Sequence, residues 1–233
     1  MNFSLIIPIA ADKEEYHSEM PYVFSLNRKG ISLCINAILG LDLKVFSNIY
    51  FTILKSHDKL YNIKEILELQ LRRLQINAKV VVLEKPTRSQ AETIFKTIQL
   101  ENITGSIFIK DADNFFSCEI IPQNGVTIYP LENLSMVNPQ HKSYVAVDDM
   151  FYVTNIIEKK IISHYFNAGG ICFENSVDFC NYYLKLSELN DFFYVSHIIY
   201  AMLLDKKIFR PIEVKDYKDW GDIKSYQFSL GNE

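Results

Sequence analysis

Along the first half of the chain, short apolar runs stop abruptly at polar residues, and longer amphipathic segments separate them. The runs are Phe3 to Ile9, Asn48 to Leu54, Lys79 to Leu83 and Ser106 to Lys110. Each is too short for a buried helix and rich in β-branched or aromatic residues, as a strand covered on both faces must be. Between them, residues 31–42, 62–76 and 89–99 place apolar side chains at helical spacing, for example Ile63, Ile66, Leu67, Leu71 and Leu74 among Lys, Glu and Arg. Strand and helix in alternation imply a parallel sheet covered by helices. Beyond residue 110 the alternation loosens. Gly125 to Pro130, Tyr144 to Val153 and Gly169 to Phe173 read as strands, residues 176–187 and 191–205 as helices, and Lys206 to Val214 as a late extended element. No linker divides the chain, so the expected architecture is one Rossmann-like α/β domain over residues 1–233. Its sheet is expected to be mixed but mostly parallel, flanked by helices.

The 233 residues are 48% hydrophobic and 22% charged, which suffices for a full core. A net charge of -4 disfavours a nucleic-acid partner, whose phosphates need a basic face. Cys34, Cys118, Cys172 and Cys180 show no C-x-x-C spacing and read as small core hydrophobes rather than a zinc site or a disulfide framework. The five histidines show no metal-ligand spacing either. No uncharged stretch approaches the ~20 residues of a membrane span, and the N-terminal segment lacks a basic region before its apolar run. The expectation is a soluble, cytoplasmic protein.

Chemistry concentrates where the fourth strand ends, at Ile107-Phe108-Ile109-Lys110-Asp111-Ala112-Asp113-Asn114. Ligands of open α/β sheets bind outside the carboxyl ends of the strands. Carboxylates at that edge suit a hard cation such as Mg²⁺, which takes oxygen ligands and bridges to substrate phosphates. If strand geometry persists, Asp111 and Asp113 face the same side; the alternative is an acidic turn or helix cap. A second acidic cluster, Tyr217-Lys218-Asp219-Trp220-Gly221-Asp222, lies near the C-terminus.

Together these clusters resemble the nucleotidyltransferases that make sugar nucleotides from a nucleoside triphosphate and a sugar 1-phosphate. Asp113-Asn114 is similar to that family's first metal-binding Asp, and Asp219-Trp220-Gly221-Asp222 to its downstream Asp-Val-Gly-Thr segment, with Asp222 in place of Thr. Glu84-Lys85-Pro86-Thr87-Arg88-Ser89-Gln90 resembles the base-recognition loop, with Glu84 and Ser89 where an amide and a glycine usually read the base. Glu158-Lys159 resembles the Glu-Lys pair whose Lys contacts the sugar phosphate. Asn167-Ala168-Gly169-Gly170 resembles the segment that approaches the sugar.

The resemblance implies Mg²⁺ held by Asp113 and Asp219, with Asp111 as an auxiliary ligand on the nucleotide side. It also implies Lys159 and Lys13 on the acceptor phosphate and the triphosphate, Ala10, Ala11, Glu84, Ser89 and Gln90 around the nucleotide, and Asn167, Gly169 and Gly170 around the acceptor. The implied partners are a nucleoside triphosphate and a phosphorylated small-molecule acceptor, in a route to surface-polysaccharide precursors; an oligomer stays open. One departure stands out. The family's glycine-rich loop ending in Arg is replaced by Ala10-Ala11-Asp12-Lys13-Glu14-Glu15. Glu15 falls near the place of the Arg. A like-charge pair about 4 Å apart costs about 4 kcal/mol at an effective dielectric of about 20. Two other readings therefore stay open. Asp111-Ala112-Asp113 is also the D-x-D pair of a glycosyltransferase acting on a sugar nucleotide, and a non-catalytic nucleotide-binding protein would have no need of the loop.

Overall fold

The computed structural model describes residues 2–10, 20–133 and 142–221. Its order of elements begins with strand β1 (Phe3–Ile9), helix α1 (Leu33–Asn36), β2 (Asn48–Leu54), α2 (Lys55–Tyr61), α3 (Ile63–Arg73), β3 (Lys79–Leu83), α4 (Gln90–Glu101) and β4 (Ser106–Lys110). There follow β5 (Asn114–Ser117), β6 (Gly125–Pro130), β7 (Ser143–Val147), β8 (Val153–Glu158), β9 (Tyr165–Phe173), α5 (Ser176–Ser187), α6 (Val195–Leu204), β10 (Arg210–Glu213) and β11 (Lys215–Asp219).

The main sheet runs β10-β6-β9-β4-β1-β2-β3, with β7 joined to β9 and β8 to β7. β3, β2, β1 and β4 are parallel. β9 runs antiparallel to β4 and β6, and β10 runs parallel to β6. The expected mixed, mostly parallel α/β sheet is what forms. Because β2 and β4 flank β1 on opposite sides, the connections diverge at the carboxyl ends of β1 and β4. That crevice is where an open sheet of this kind takes its ligand.

Alternation along the strands divides the core between the two faces. Leu5, Ile7 and Phe108 pack with Ile63, Leu67 and Leu71 of α3 on one side. Ile6, Ile107 and Ile109 pack with Ile94, Ile98 and Phe179 of α4 and α5 on the other. Successive strand side chains point to opposite faces, so a strand that is apolar throughout supplies both layers. The helices start and stop on recognisable signals. The Ser89 hydroxyl caps α4 by accepting from the Glu92 amide at 3.3 Å, and α4 ends at Asn102 in the left-handed region.

Three expectations change. The helix expected over 31–42 is one short turn. After Asn36 the bonds tighten to i→i+3, as in Leu39 N–H to the Asn36 carbonyl and Leu41 N–H to that of Ile38. Gly40 there lies so close to β5 that an added Cβ would sit 2.2 Å from the Phe116 carbonyl oxygen. The strand expected over Tyr144 to Val153 is two strands, β7 and β8, because the Asp148 carboxylate accepts from the amides of Met150 (3.0 Å) and Tyr152 (2.9 Å) and turns the chain. The short strands β5 and β11 were not anticipated at all. They pair with each other, outside the main sheet.

Trp220, directly after β11, is 2% exposed and packs on Leu33 and Ala37 of the α1 region and on Phe115. It is the chain's one tryptophan. Its emission is therefore expected to be blue-shifted in the native state and to shift red in urea together with the loss of helical circular dichroism. Trp220→Ala should cost about 3 kcal/mol of unfolding free energy, the scale of a large aromatic removed from a core. An emission change well before global unfolding would show that the β5–β11 ribbon opens independently.

Candidate active site

The acidic turn hangs between β4 and β5. β4 ends at Lys110, and the chain turns through Asp111, Ala112 and Asp113 rather than continuing extended. The two carboxylates accordingly acquire different partners. Asp111 is fixed from two sides: its amide donates to the Gly169 carbonyl at 2.8 Å, and its Oδ1 accepts from Gln90 Nε2 at 2.6 Å. Asp113 Oδ2 accepts from the Tyr22 hydroxyl at 3.3 Å.

The turn is folded around a buried ammonium. Lys110, fully buried, donates to the carbonyls of Asp111 (2.9 Å) and Asn114 (3.0 Å) and to the Asn114 side-chain oxygen, and its Nζ lies 4.4 Å from the Phe116 ring centroid. Burial pulls its pKa down to about 8, against the opposing pull of Asp111 and Asp113. Asp111 moves the other way. Burial, and next the Asp113 carboxylate, push it up to about 6, while Lys110 and the Gln90 amide partly restrain the shift.

β9 supplies the wall. Lys110 lies opposite Gly170 in the antiparallel register, and Gly169 follows the turn with φ +91°. A Cβ at Gly169 would come within 2.2 Å of Asn114 Nδ2 and 2.7 Å of Asp111 Oδ2. A glycine is thus required both for its backbone conformation and for the space. Asn167 turns its side-chain oxygen inward, accepting from the Gly169 amide (3.0 Å) and the Thr127 hydroxyl (3.2 Å).

The second acidic cluster arrives on the β5–β11 ribbon. Asp219 stands opposite Asn114, and the Trp220 amide donates to the Asp113 carbonyl at 2.9 Å. Asp113 and Asp219, remote in sequence, are brought side by side by these bonds. The Asp219 carboxylate accepts from the Gly221 amide at 3.0 Å and pairs with Lys142 at 2.5 Å. Lys142 also donates to the Tyr217 hydroxyl at 3.0 Å. Burial alone would lower its pKa, but Tyr217 and Asp219 outweigh that and raise it. Burial raises Tyr217 too.

The remaining sequence candidates lie around this centre. Ala10, buried at the end of β1, accepts from the Thr87 amide and hydroxyl, both at 3.1 Å, which ties the exit of β1 to the loop after β3. Ala11 and Lys13, like Asp222, lie outside the described residues. Glu84 is exposed and paired with Lys55 at 2.5 Å, Ser89 is engaged as the cap of α4, and Gln90 is committed to Asp111. Lys159 is exposed, with its amide donating to the Lys142 carbonyl at 2.8 Å and its ammonium 5.1 Å from the Tyr194 ring centroid. Glu158 accepts from the hydroxyls of Ser143 (2.5 Å) and Ser196 (2.8 Å).

Lys110 and Lys142 received no role in the sequence reading. A lysine closing an otherwise apolar strand was a signal for the first. The second stands in a polar stretch with nothing to mark it.

Among the described residues no three carboxylate, histidine or cysteine groups converge as a ready cation cage. Mg²⁺ commonly uses one or two carboxylates, with waters and substrate phosphates completing its shell. The pair Asp113 and Asp219 offers only hard oxygen ligands, so the donor set fits that ion. A cavity of about 520 Å³ opens near Ser117 and Lys215 at the opposite end of the ribbon, away from Asp113 and Asp219. No described helix is long and apolar enough to cross a membrane.

No family model and no curated protein sequence matches the chain. Solved structures do. The nucleoside-diphosphate-sugar pyrophosphorylase from Vibrio cholerae RC9 superimposes with a TM-score of 0.78 at 16% identity, covering 97% of this chain and 99% of its own. The two chains share one fold over nearly their whole lengths. The inositol-1-phosphate CTP transferase from T. maritima gives a TM-score of 0.70 at 14% identity over 100% of this chain and 95% of its own. A UDP-glucose pyrophosphorylase complexed with UDP-glucose gives 0.69 at 12% identity, over 100% and 98%.

Two measurements check the geometry of the turn. Gly169→Ala should lose about 1–3 kcal/mol from the left-handed backbone alone, with overpacking against Asn114 adding to it, read as a lowered urea midpoint. For Asp111, a pKa of about 6 in the folded chain against the ordinary 3.8 means that the native state holds the proton more tightly. The associated stability is full below about pH 4 and is lost as pH rises through 6. The stability of Asp111→Asn relative to the unsubstituted protein should therefore climb between pH 4 and 6 and level off above. A flat difference would mean that Asp111 ionises as an ordinary surface carboxylate.

Proposed function

We propose that this protein is a nucleotidyltransferase, joining the phosphate of a small phosphorylated acceptor to the α-phosphorus of a nucleoside triphosphate with release of pyrophosphate. The observation that carries this reading is the β5–β11 pairing, which sets Asp219 opposite Asn114 and ties Trp220 to Asp113 at the crevice beside β1 and β4. Two carboxylates at the switch point of a sheet with this fold suit charge-rich phosphoryl chemistry. That chemistry needs positioning and compensation of charge more than covalent help from the protein.

In this reading Asp113 and Asp219 hold Mg²⁺, and the ion, when bound, neutralises charge on the phosphoryl oxygens. A carboxylate has about four lone-pair sites on its two oxygens, so Asp219 can keep Lys142 while serving a cation. Asp111, held by Gln90 and the Gly169 carbonyl, stiffens the turn and adds negative potential. Asn167, Gly169 and Gly170 form the acceptor side, the two glycines buried against Asn114, Asp111 and Phe116, where no side chain fits. The loop from Glu84 to Gln90, anchored to Ala10 through Thr87, faces the base. The reading extends to a cytoplasmic enzyme of one domain that supplies surface-polysaccharide precursors.

The glycosyltransferase alternative needs both members of the D-x-D pair for a metal diphosphate. What favours the transferase of nucleotides is the contribution of the distant Asp219, which the β5–β11 ribbon brings to Asp113.

The test is a panel of CTP, UTP, GTP, dTTP and ATP, each with and without Mg²⁺, read by thermal shift and by pyrophosphate release with phosphorylated acceptors. One triphosphate should stabilise the protein in a Mg²⁺-dependent way. Asp113→Asn should abolish that shift and lower pyrophosphate release at least about 100-fold, as losing a main electrostatic contact to the transition state does. Stabilisation by sugar nucleotides alone, with free nucleoside diphosphate as product, would favour the glycosyltransferase. Absence of any shift would remove the enzyme reading.

A further inference from the structure

A phosphate entering beside Asp113 and Asp219 meets two carboxylates and needs a cation supplied by the protein as well as any metal ion. Lys110, Lys142 and Lys159 differ in their surroundings. Lys110 is fully buried beneath the acidic turn, with its ammonium consumed by the Asp111 and Asn114 oxygens and the Phe116 ring. Lys159 sits at the rim, exposed, with its head group on Tyr194. Lys142 has a side chain only 15% exposed, and its ammonium lies between Asp219 and the Tyr217 hydroxyl.

The environment of Lys142 is built rather than incidental. Its ammonium lies 5.5 Å from the Phe166 ring centroid and 5.6 Å from that of Tyr217, and these two rings pack edge to face with centroids 5.4 Å apart. Tyr129 packs against both, at 6.1 Å and 5.1 Å. The aromatic wall limits where the side chain can go, and Asp219 and Tyr217 fix its end. An ammonium has three N–H groups, and among the described residues only two hydrogen-bonding partners face this one. Among the described residues the third donor has no partner, and it lies directly beside a carboxylate of the candidate metal pair.

We infer that Lys142, oriented by Asp219 and Tyr217, is the side chain that receives a substrate phosphate at this site, in place of Lys159. The inference rests on the nucleotidyl-transfer reading for the identity of that phosphate, which belongs either to the nucleotide or to the acceptor. A link between the two lysines makes the exchange of roles simple. The Lys159 amide donates to the Lys142 carbonyl, so the two residues flank the paired ends of β7 and β8, and the more buried side chain takes the ligand.

The experiment compares the unsubstituted protein with Lys142→Met, Lys142→Arg and Lys159→Met. Binding of the five triphosphates with Mg²⁺, and separately of glucose 1-phosphate and inorganic phosphate, is measured by titration calorimetry. Ligand-free melting and circular dichroism establish that each variant is folded. A hydrogen bond to a charged group sets the scale of the loss. Lys142→Met should weaken the phosphate-bearing probe at least about tenfold more than Lys159→Met does, with Lys142→Arg recovering part of it. Loss confined to the triphosphates assigns Lys142 to the nucleotide, and loss confined to the other two probes assigns it to the acceptor. Unchanged affinity in Lys142→Met, an equal or larger loss in Lys159→Met, or no binding of any probe to the unsubstituted protein overturns the assignment. Phosphate binding through Lys142 without pyrophosphate release would keep this inference and sink the transfer reading. Pyrophosphate release that ignores Lys142 would do the reverse.

Discussion

The ammonium of Lys110 is the constraint around which the functional end of the molecule is arranged. Two main-chain carbonyls and an amide oxygen converge on it inside the protein, where an unpaired polar group is expensive. Those oxygens belong to Asp111 and Asn114, so the lysine fixes the path of the intervening turn and hence the direction of Asp113. Two carboxylates packed against an otherwise apolar sheet edge would repel one another and lose hydration. A cation beneath them offsets both costs. The buried charge and the acidic turn are therefore one unit, and neither is stable without the other.

From that unit the order outward is clear. The turn presents Asn114 at the start of β5. β5 accepts β11 as its partner, and β11 carries Tyr217 and Asp219 to the turn and delivers Trp220 to the pocket formed by Leu33 and Ala37. β9 closes the other side, with Gly169 meeting Asp111 and Asn114 at distances that only a hydrogen atom in place of a side chain permits. The site is thus assembled from separate stretches of chain, and the main sheet contributes chiefly the rigid edge on which they meet.

How much of this could be read in the sequence follows from the range of the forces involved. The first four strands announced themselves because a strand covered on both faces must be apolar throughout, and the signal is local. The helix α4 was legible from its apolar spacing for the same reason. β5 and β11 were not, since each is four or five residues long and half polar, and each becomes a strand only by pairing with the other. The acidic turn was visible as a composition, but how its two carboxylates would be held apart was not. That depends on Gln90 and Gly169, which arrive from other elements. Lys142 carried no mark at all, because its identity as an inward-facing cation is set by Phe166, Tyr217 and Asp219, all far along the chain.

The contact of Gly169 with Asn114 and Asp111 also limits how this protein can change over evolutionary time. A side chain at position 169 is admissible only after Asn114 becomes smaller, yet Asn114 is a ligand of the Lys110 ammonium. Shrinking it first leaves a buried charge short of a partner. Each single step away from the present trio passes through a damaged intermediate, so the three positions are epistatically locked and must drift together or not at all. Glu84, by contrast, is exposed and held by one surface ion pair, and can vary by itself. Divergence on this fold is therefore channelled toward exposed positions such as Glu84 and away from the acidic turn.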